Sequence, residues 1–298
     1  LLVCAAGGIL LGTIYPLLLD GLDMGKISVG PPYFEAVFLI PMLPLVFLIG
    51  VGMHSFWRHM QGEVLYRRLR LAAIAAVLLT AAALLTGIAD MSPLTVLGVL
   101  AGLWIITSVI AEPLQALREG GLRNLSRARW GMLVAHLGVG LFTLGVTVTK
   151  DQGIEVDRSV KPGEIIELAD YSIEFIGLRN VAGPNYKAVE GTFQVSRDGR
   201  AVAELKPQKR VYNVQRSPMT EASIDAGWRR DIFVALGESL GADAWSVRAQ
   251  YKPMIRFIWF GCLVMAVGGL LAASDRRYKH AREHAQTAPA GAAPGAPA

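Results

Sequence analysis

Gly131-Met-Leu-Val-Ala-His-Leu-Gly-Val-Gly-Leu-Phe-Thr-Leu-Gly-Val-Thr-Val-Thr149 sets one ionisable ring, His136, inside an otherwise apolar run. Wound as a helix, this stretch rises about 28 Å, the thickness of a bilayer's hydrocarbon. Such a segment predicts a transmembrane helix, and its buried imidazole marks a functional position, because a titratable group in lipid is unfavourable without a partner.

Five further runs have the same character, near 1–19, 37–57, 71–88, 94–111 and 255–273. With 53% hydrophobic and only 18% charged residues over 298 positions, and a mean hydropathy of +0.41, the chain reads as a polytopic α-helical membrane protein of about six spans. The net charge of +5 is not gathered into the aromatic-interleaved patches that nucleic acid requires, so a nucleic-acid partner is not expected. Basic residues instead flank the spans: Arg58, Arg67, Arg68 and Arg70, then Arg118, Arg123, Arg127 and Arg129, then Arg276, Arg277, Lys279 and Arg282. The positive-inside rule makes these three groups cytoplasmic and puts 20–36, 89–93 and 150–253 outside. Pro41 and Pro44 are expected to kink the second span. The chain opens at Leu1 within an apolar run, without a methionine or charged leader, and is read as a piece of a longer protein. Cys4 and Cys262 fall near opposite faces of the membrane, where no disulfide is expected.

The segment 150–253 follows a different pattern. Tyr171-Ser-Ile-Glu-Phe-Ile-Gly-Leu178 and Gly191-Thr-Phe-Gln-Val-Ser196 alternate apolar with polar residues, and Asp198-Gly199 predicts a tight hairpin turn between 192–197 and 201–205. Short runs at 210–214, 231–236 and 244–251 complete a β-sandwich-like extracytoplasmic domain between the last two helices. The expected organisation is a transmembrane bundle over 1–149, a β-rich domain over 150–253, a last span over 254–273, and a disordered Ala/Pro/Gly-rich cytoplasmic tail over 274–298.

His136 lies roughly 9 Å along the helix from the inner interface marked by Trp130. On a helical wheel its face carries Met132, Val139, Gly140 and Thr143, with Gly138 close by, so small residues leave room for a planar group beside the ring. Two readings stand: an axial ligand to a b-type haem, or an imidazole bonded to neighbouring backbone. A bis-histidine site would need a second ligand from outside this chain, because no other histidine is mid-membrane. Elsewhere the plainer readings are favoured. His54 and His59 are interfacial, Glu112 is a snorkelling residue at the end of its span with a proton relay as the other reading, and His280-Ala-Arg-Glu-His284 matches H-x-x-E-H by chance. The rigid aromatic loop Gly25 to Glu35 is either a docking surface or an interfacial turn. Trp228-Arg229-Arg230 and Arg210-Val-Tyr212 give the outer domain positive charge suited to haem propionates or an acidic partner, although strand-edge charge explains it as well.

Several stretches together resemble the C-terminal part of the cytochrome c maturation haem lyase family CcmF and its NrfE relatives. They are Tyr15-Pro-Leu-Leu-Leu19, Lys26-Ile-Ser-Val-Gly-Pro-Pro-Tyr-Phe34, Gly131-Met-Leu-Val-Ala-His-Leu-Gly138, Gly183-Pro-Asn-Tyr186, Lys209-Arg-Val-Tyr212, Pro218-Met-Thr-Glu-Ala222 and the closing Gly-Gly-Leu-Leu-Ala-Ala-Ser-Asp-Arg-Arg277. The resemblance implies a bacterial inner-membrane protein that takes haem as substrate from a periplasmic haem chaperone. With thioredoxin-fold and apocytochrome-binding partners, it would help join haem to the cysteines of apocytochrome c. It further implies that His136 is one axial ligand of a separate membrane haem b that keeps the incoming iron reduced. The tryptophan-rich motif, the external histidines and the first membrane histidine of the family belong upstream of this chain. Two other readings remain, a transporter and a non-catalytic scaffold whose outer domain recruits partners.

Overall fold

The computed structural model describes residues 1–55, 62–85, 91–118, 121–122, 125–214, 217–241 and 243–275. Among the described residues, six helices are long and apolar enough to cross a membrane: α1 (Leu2–Gly21), α2 (Pro31–Gly52), α3 (Gly62–Leu85), α4 (Pro93–Arg118), α5 (Arg127–Gln152) and α6 (Ile255–Ala273). Several overrun the apolar runs at their polar ends. Within α3, Glu63 and Arg67, four apart, pair at 2.5 Å. The helix α2 starts early, with Pro31 in its first turn after an extended Gly30, and continues through Pro41 and Pro44 to Gly52.

The chain forms two compact units. The first holds the described parts of 1–86, 100–141 and 260–298. Its helices meet through close backbone approaches. Gly8 and Gly12 of α1 face Val37 and Tyr33 of α2, and the Tyr33 hydroxyl donates to the Gly8 carbonyl at 2.9 Å. The aromatic stretch read as either a docking surface or an interfacial turn is, from Pro31 onward, part of α2, with the Tyr33 ring packed against α1. Trp104 of α4 lies over Gly50 and donates to the Phe47 carbonyl at 2.9 Å, and Thr107 donates to the Ala72 carbonyl of α3 at 3.0 Å. Met53, Ile105, Val109 and Leu133 form a small buried cluster. Asp275, just past α6, accepts from the Ala128 N–H at 2.8 Å and so places a carboxylate on the positive N-terminal end of α5.

The second unit, over 87–99 and 142–259, is dominated by a β-sandwich. One sheet runs β1 (Ile154–Val160), β10 (Ala244–Pro253), β9 (Arg230–Gly241), β8 (Ser223–Ala226). The other runs β2 (Ile165–Leu168), β3 (Tyr171–Ala182), β4 (Tyr186–Arg197), β6 (Gln208–Tyr212), β7 (Pro218–Glu221), with β5 (Arg200–Leu205) also beside β4. All neighbouring strands are antiparallel. Alternate residues point inward, so Ile166, Leu168, Ile173, Phe175, Phe193, Val195, Ile232, Val234 and Val247 have no exposure at all. Phe175 and Phe193 stack with centroids 4.7 Å apart. The hairpin turn adopts φ of +50° at Asp198 and +72° at Gly199, the left-handed pair that two-residue hairpins require.

Candidate functional site

His136 sits in the middle of α5, half-buried, with its Nδ1 2.7 Å from the Met132 carbonyl one turn back. A carbonyl can only accept, so Nδ1 carries the proton and the Nε2 lone pair is left without a hydrogen-bond partner among the described residues. That tautomer is the one in which imidazole binds a metal through Nε2 while its other nitrogen is held by backbone. Among the described residues no group of three or more His, Cys, Asp or Glu is placed to bind a metal ion, so a metal at His136 would have to bring further ligands of its own or take them from elsewhere.

The expectation that glycines open space beside the ring is corrected by the packing. A Cβ on Gly138 would fall 2.6 Å from the Gly261 carbonyl oxygen of α6, and one on Gly140 would fall 2.7 Å from Ile106 of α4. These glycines let helices touch, as does Gly131 against Ala272. Gly131 and Gly138 are seven residues apart and lie on the α6 side of α5, well round the helix from His136.

A second polar cluster lies near the inner end of the same unit. His54 is 2% exposed, and its Nε2–H donates to the Ser108 carbonyl at 2.9 Å. Arg129 pairs with Glu112 and donates to the Met53 carbonyl at 2.9 Å. His54, read as interfacial, is packed against α4 through the Ser108 carbonyl, and Glu112, read as snorkelling, is 13% exposed and paired with Arg129 from the first turn of α5. Ser108 and Glu112 are four apart on α4, which was a readable sign of a polar stripe. His59 and the His280 to His284 motif lie outside the described residues.

In the sandwich, three of the stretches that carry the family resemblance converge. Tyr186 of β4 pairs with Tyr212 of β6, and Arg210 of β6 pairs with Met219 of β7. The Arg210 guanidinium lies 4.5 Å above the Tyr186 ring and donates to Gln208 at 2.7 Å. Deeper on β4, Glu190 accepts from Arg179 at 2.7 Å and Gln208 at 2.5 Å. Burial pushes its carboxyl up, but the Gln208 and Arg179 hydrogen bonds and the Arg179 and Lys206 charges outweigh this and hold it below the usual range. Arg230 is bonded to Tyr171 at 2.9 Å and paired with Asp225. Neither Arg210 nor Arg230 is thus an uncommitted charge.

Residues 152–253 match the family model described as the CcmF C-terminal beta-sandwich. The cytochrome c-type biogenesis protein CcmF of Pseudomonas aeruginosa is 43% identical over 280 residues, covering 92% of this chain and 42% of that protein. That of Escherichia coli (strain K12) is 37% identical over 289 residues, covering 97% and 44%. The chain is similar to CcmF proteins over nearly all of its length. It spans less than half the length of these curated relatives. NrfE of Haemophilus influenzae is similar at 29% identity over 94% of the chain. A solved structure titled "Cytochrome c Heme Lyase CcmF" shares the fold with a TM-score of 0.74 at 23% identity, over 90% of this chain and 43% of that one. This chain is therefore a multi-pass membrane protein with a β-sandwich between α5 and α6.

Proposed function

We propose that this chain is part of a haem lyase subunit for cytochrome c maturation, acting on haem and apocytochrome c at the periplasmic face of the bacterial inner membrane. Within it, His136 serves as an axial ligand of a membrane haem b. The observation that carries this reading is the Nδ1 hydrogen bond to the Met132 carbonyl, which fixes the ring orientation and leaves Nε2 to bind iron. When bound there, a haem supplies one-electron transfer. The chain's own contribution would be to orient the imidazole within an apolar helix, with any second ligand supplied from elsewhere.

The sandwich supplies a rigid outer surface for the haem chaperone, the thioredoxin-fold and apocytochrome-binding partners and apocytochrome c. The aromatic and arginine contacts of Tyr186, Arg210 and Tyr212 are its best-defined feature. A preparation containing this chain with its N-terminal counterpart should show a b-type spectrum that His136→Ala abolishes or halves. An unchanged spectrum would refute the ligand assignment.

A further inference from the structure

We propose that the Gly227-Trp228-Arg229 turn between β8 and β9 is a lipid-headgroup contact, seating this end of the β-sandwich on the membrane surface.

The topology of the second unit locates the turn. Pro253, the last residue of β10, pairs with Arg230, the first of β9, and the Arg229 carbonyl accepts from the Met254 N–H at 2.9 Å. Met254 directly precedes α6, so the turn is hydrogen-bonded to the point where the chain enters an apolar helix. The other span arrives at the same end: Ile154, just after α5, pairs with Tyr251, and the Thr149 hydroxyl donates to the Pro253 carbonyl at 2.6 Å. A membrane crossed by α5 and α6 therefore has its surface at this turn.

The side chains fit such a surface. Trp228 is 67% exposed, and Trp259, four residues into α6 and about 6 Å along its axis, is 70% exposed. Two outward indoles on either side of the helix entry match the aromatic belt of membrane proteins, where the ring meets acyl chains and the N–H meets carbonyls and water. The neighbouring cations differ in commitment. Arg230 is held by Asp225 and Arg256 by Asp231, whereas Arg229 is exposed and has no ion pair among the described residues. Its planar guanidinium is suited to bidentate contact with a lipid phosphate.

The test uses the full chain reconstituted in vesicles of phosphatidylethanolamine and phosphatidylglycerol. The Trp228 signal is read as the fluorescence difference between the native chain and Trp228→Phe, a variant that leaves the buried core untouched. Blue-shifted emission, quenched by phospholipids brominated near the carbonyl end of their chains and shielded from iodide, is the expected result. Arg229→Gln should raise the phosphatidylglycerol fraction needed for the same quenching about fivefold, the effect of one surface cation. Iodide-accessible emission that bromolipids leave unchanged would overturn the proposal. So would iodide access lost only when a membrane extract is added, which would make the turn a protein-docking site. Quenching independent of Arg229 would overturn the headgroup contact.

Discussion

In the β-sandwich, Phe175 and Phe193 stack within a core of side chains that have no exposure, whereas in the helical unit Leu10, Leu17, Ile40 and Leu78 face outward and the helices meet at glycines such as Gly8, Gly50 and Gly138 beside one small buried cluster. The two regions have similar use for apolar residues but opposite solvents. Water drives the sandwich's large side chains together. Lipid supplies no such drive, so the helices associate through close backbone contact and a few hydrogen bonds that lipid cannot replace.

The largest expected effect tests the water-driven half. Phe175→Ala removes one ring of the stacked pair and should destabilise the sandwich by about 3–5 kcal/mol, read as earlier protease cleavage within 154–253 and a lower unfolding temperature in detergent. If the loss is under about 1 kcal/mol, the sandwich does not rest on its inner core.

Charge gives the next contrast. Arg129→Gln strands Glu112, whose side chain is 13% exposed, and should destabilise the helical unit by about 3 kcal/mol. Arg248→Gln removes a pair with Asp157 in which both side chains are 53% exposed, and should leave thermal unfolding unchanged.

Gly138→Val should lower helical-unit stability by about 1–3 kcal/mol by forcing α5 from α6, while Gly7→Val, with nothing near its position, should be silent. Equal effects would mean that glycine acts here through helix propensity, not contact.

The smallest effect is on pH dependence. Glu190 is held below the usual carboxylate range in the folded sandwich, so its stabilisation is fully present above the unfolded value of about 4.3 and is lost as pH falls through the folded one. Acid titration of unfolding should therefore be shallower in Glu190→Gln than in the native chain.

The same contrast explains what was legible in the sequence. All six helices could be read because lipid demands long apolar runs, but their polar extensions, such as Gly62 to Arg70 of α3, fall outside any apolar window. The hairpin at Asp198-Gly199 was readable because only certain residues take positive φ. The strands β1, β2, β7 and β8 were missed, the last three being four residues long and too short to alternate visibly. Around His136 the ring's position could be read but not the use of its glycines, because a small residue signals space and close contact alike. The buried partner of His54, the Ser108 carbonyl, lies 54 positions away, which no local pattern encodes.

Gly131 meets Ala272, a residue 141 positions later, and the whole sandwich lies between them. At roughly 5–20 residues per second of synthesis, α5 waits on the order of ten seconds for the helix that fits its glycine face. During that interval His136 is carried by a helix with an unfilled groove, and the sandwich has time to fold before α6 is made. Assembly of the histidine-bearing helix is thus timed by the length of the domain encoded between α5 and α6, and shortening that domain would bring α6 to α5 sooner.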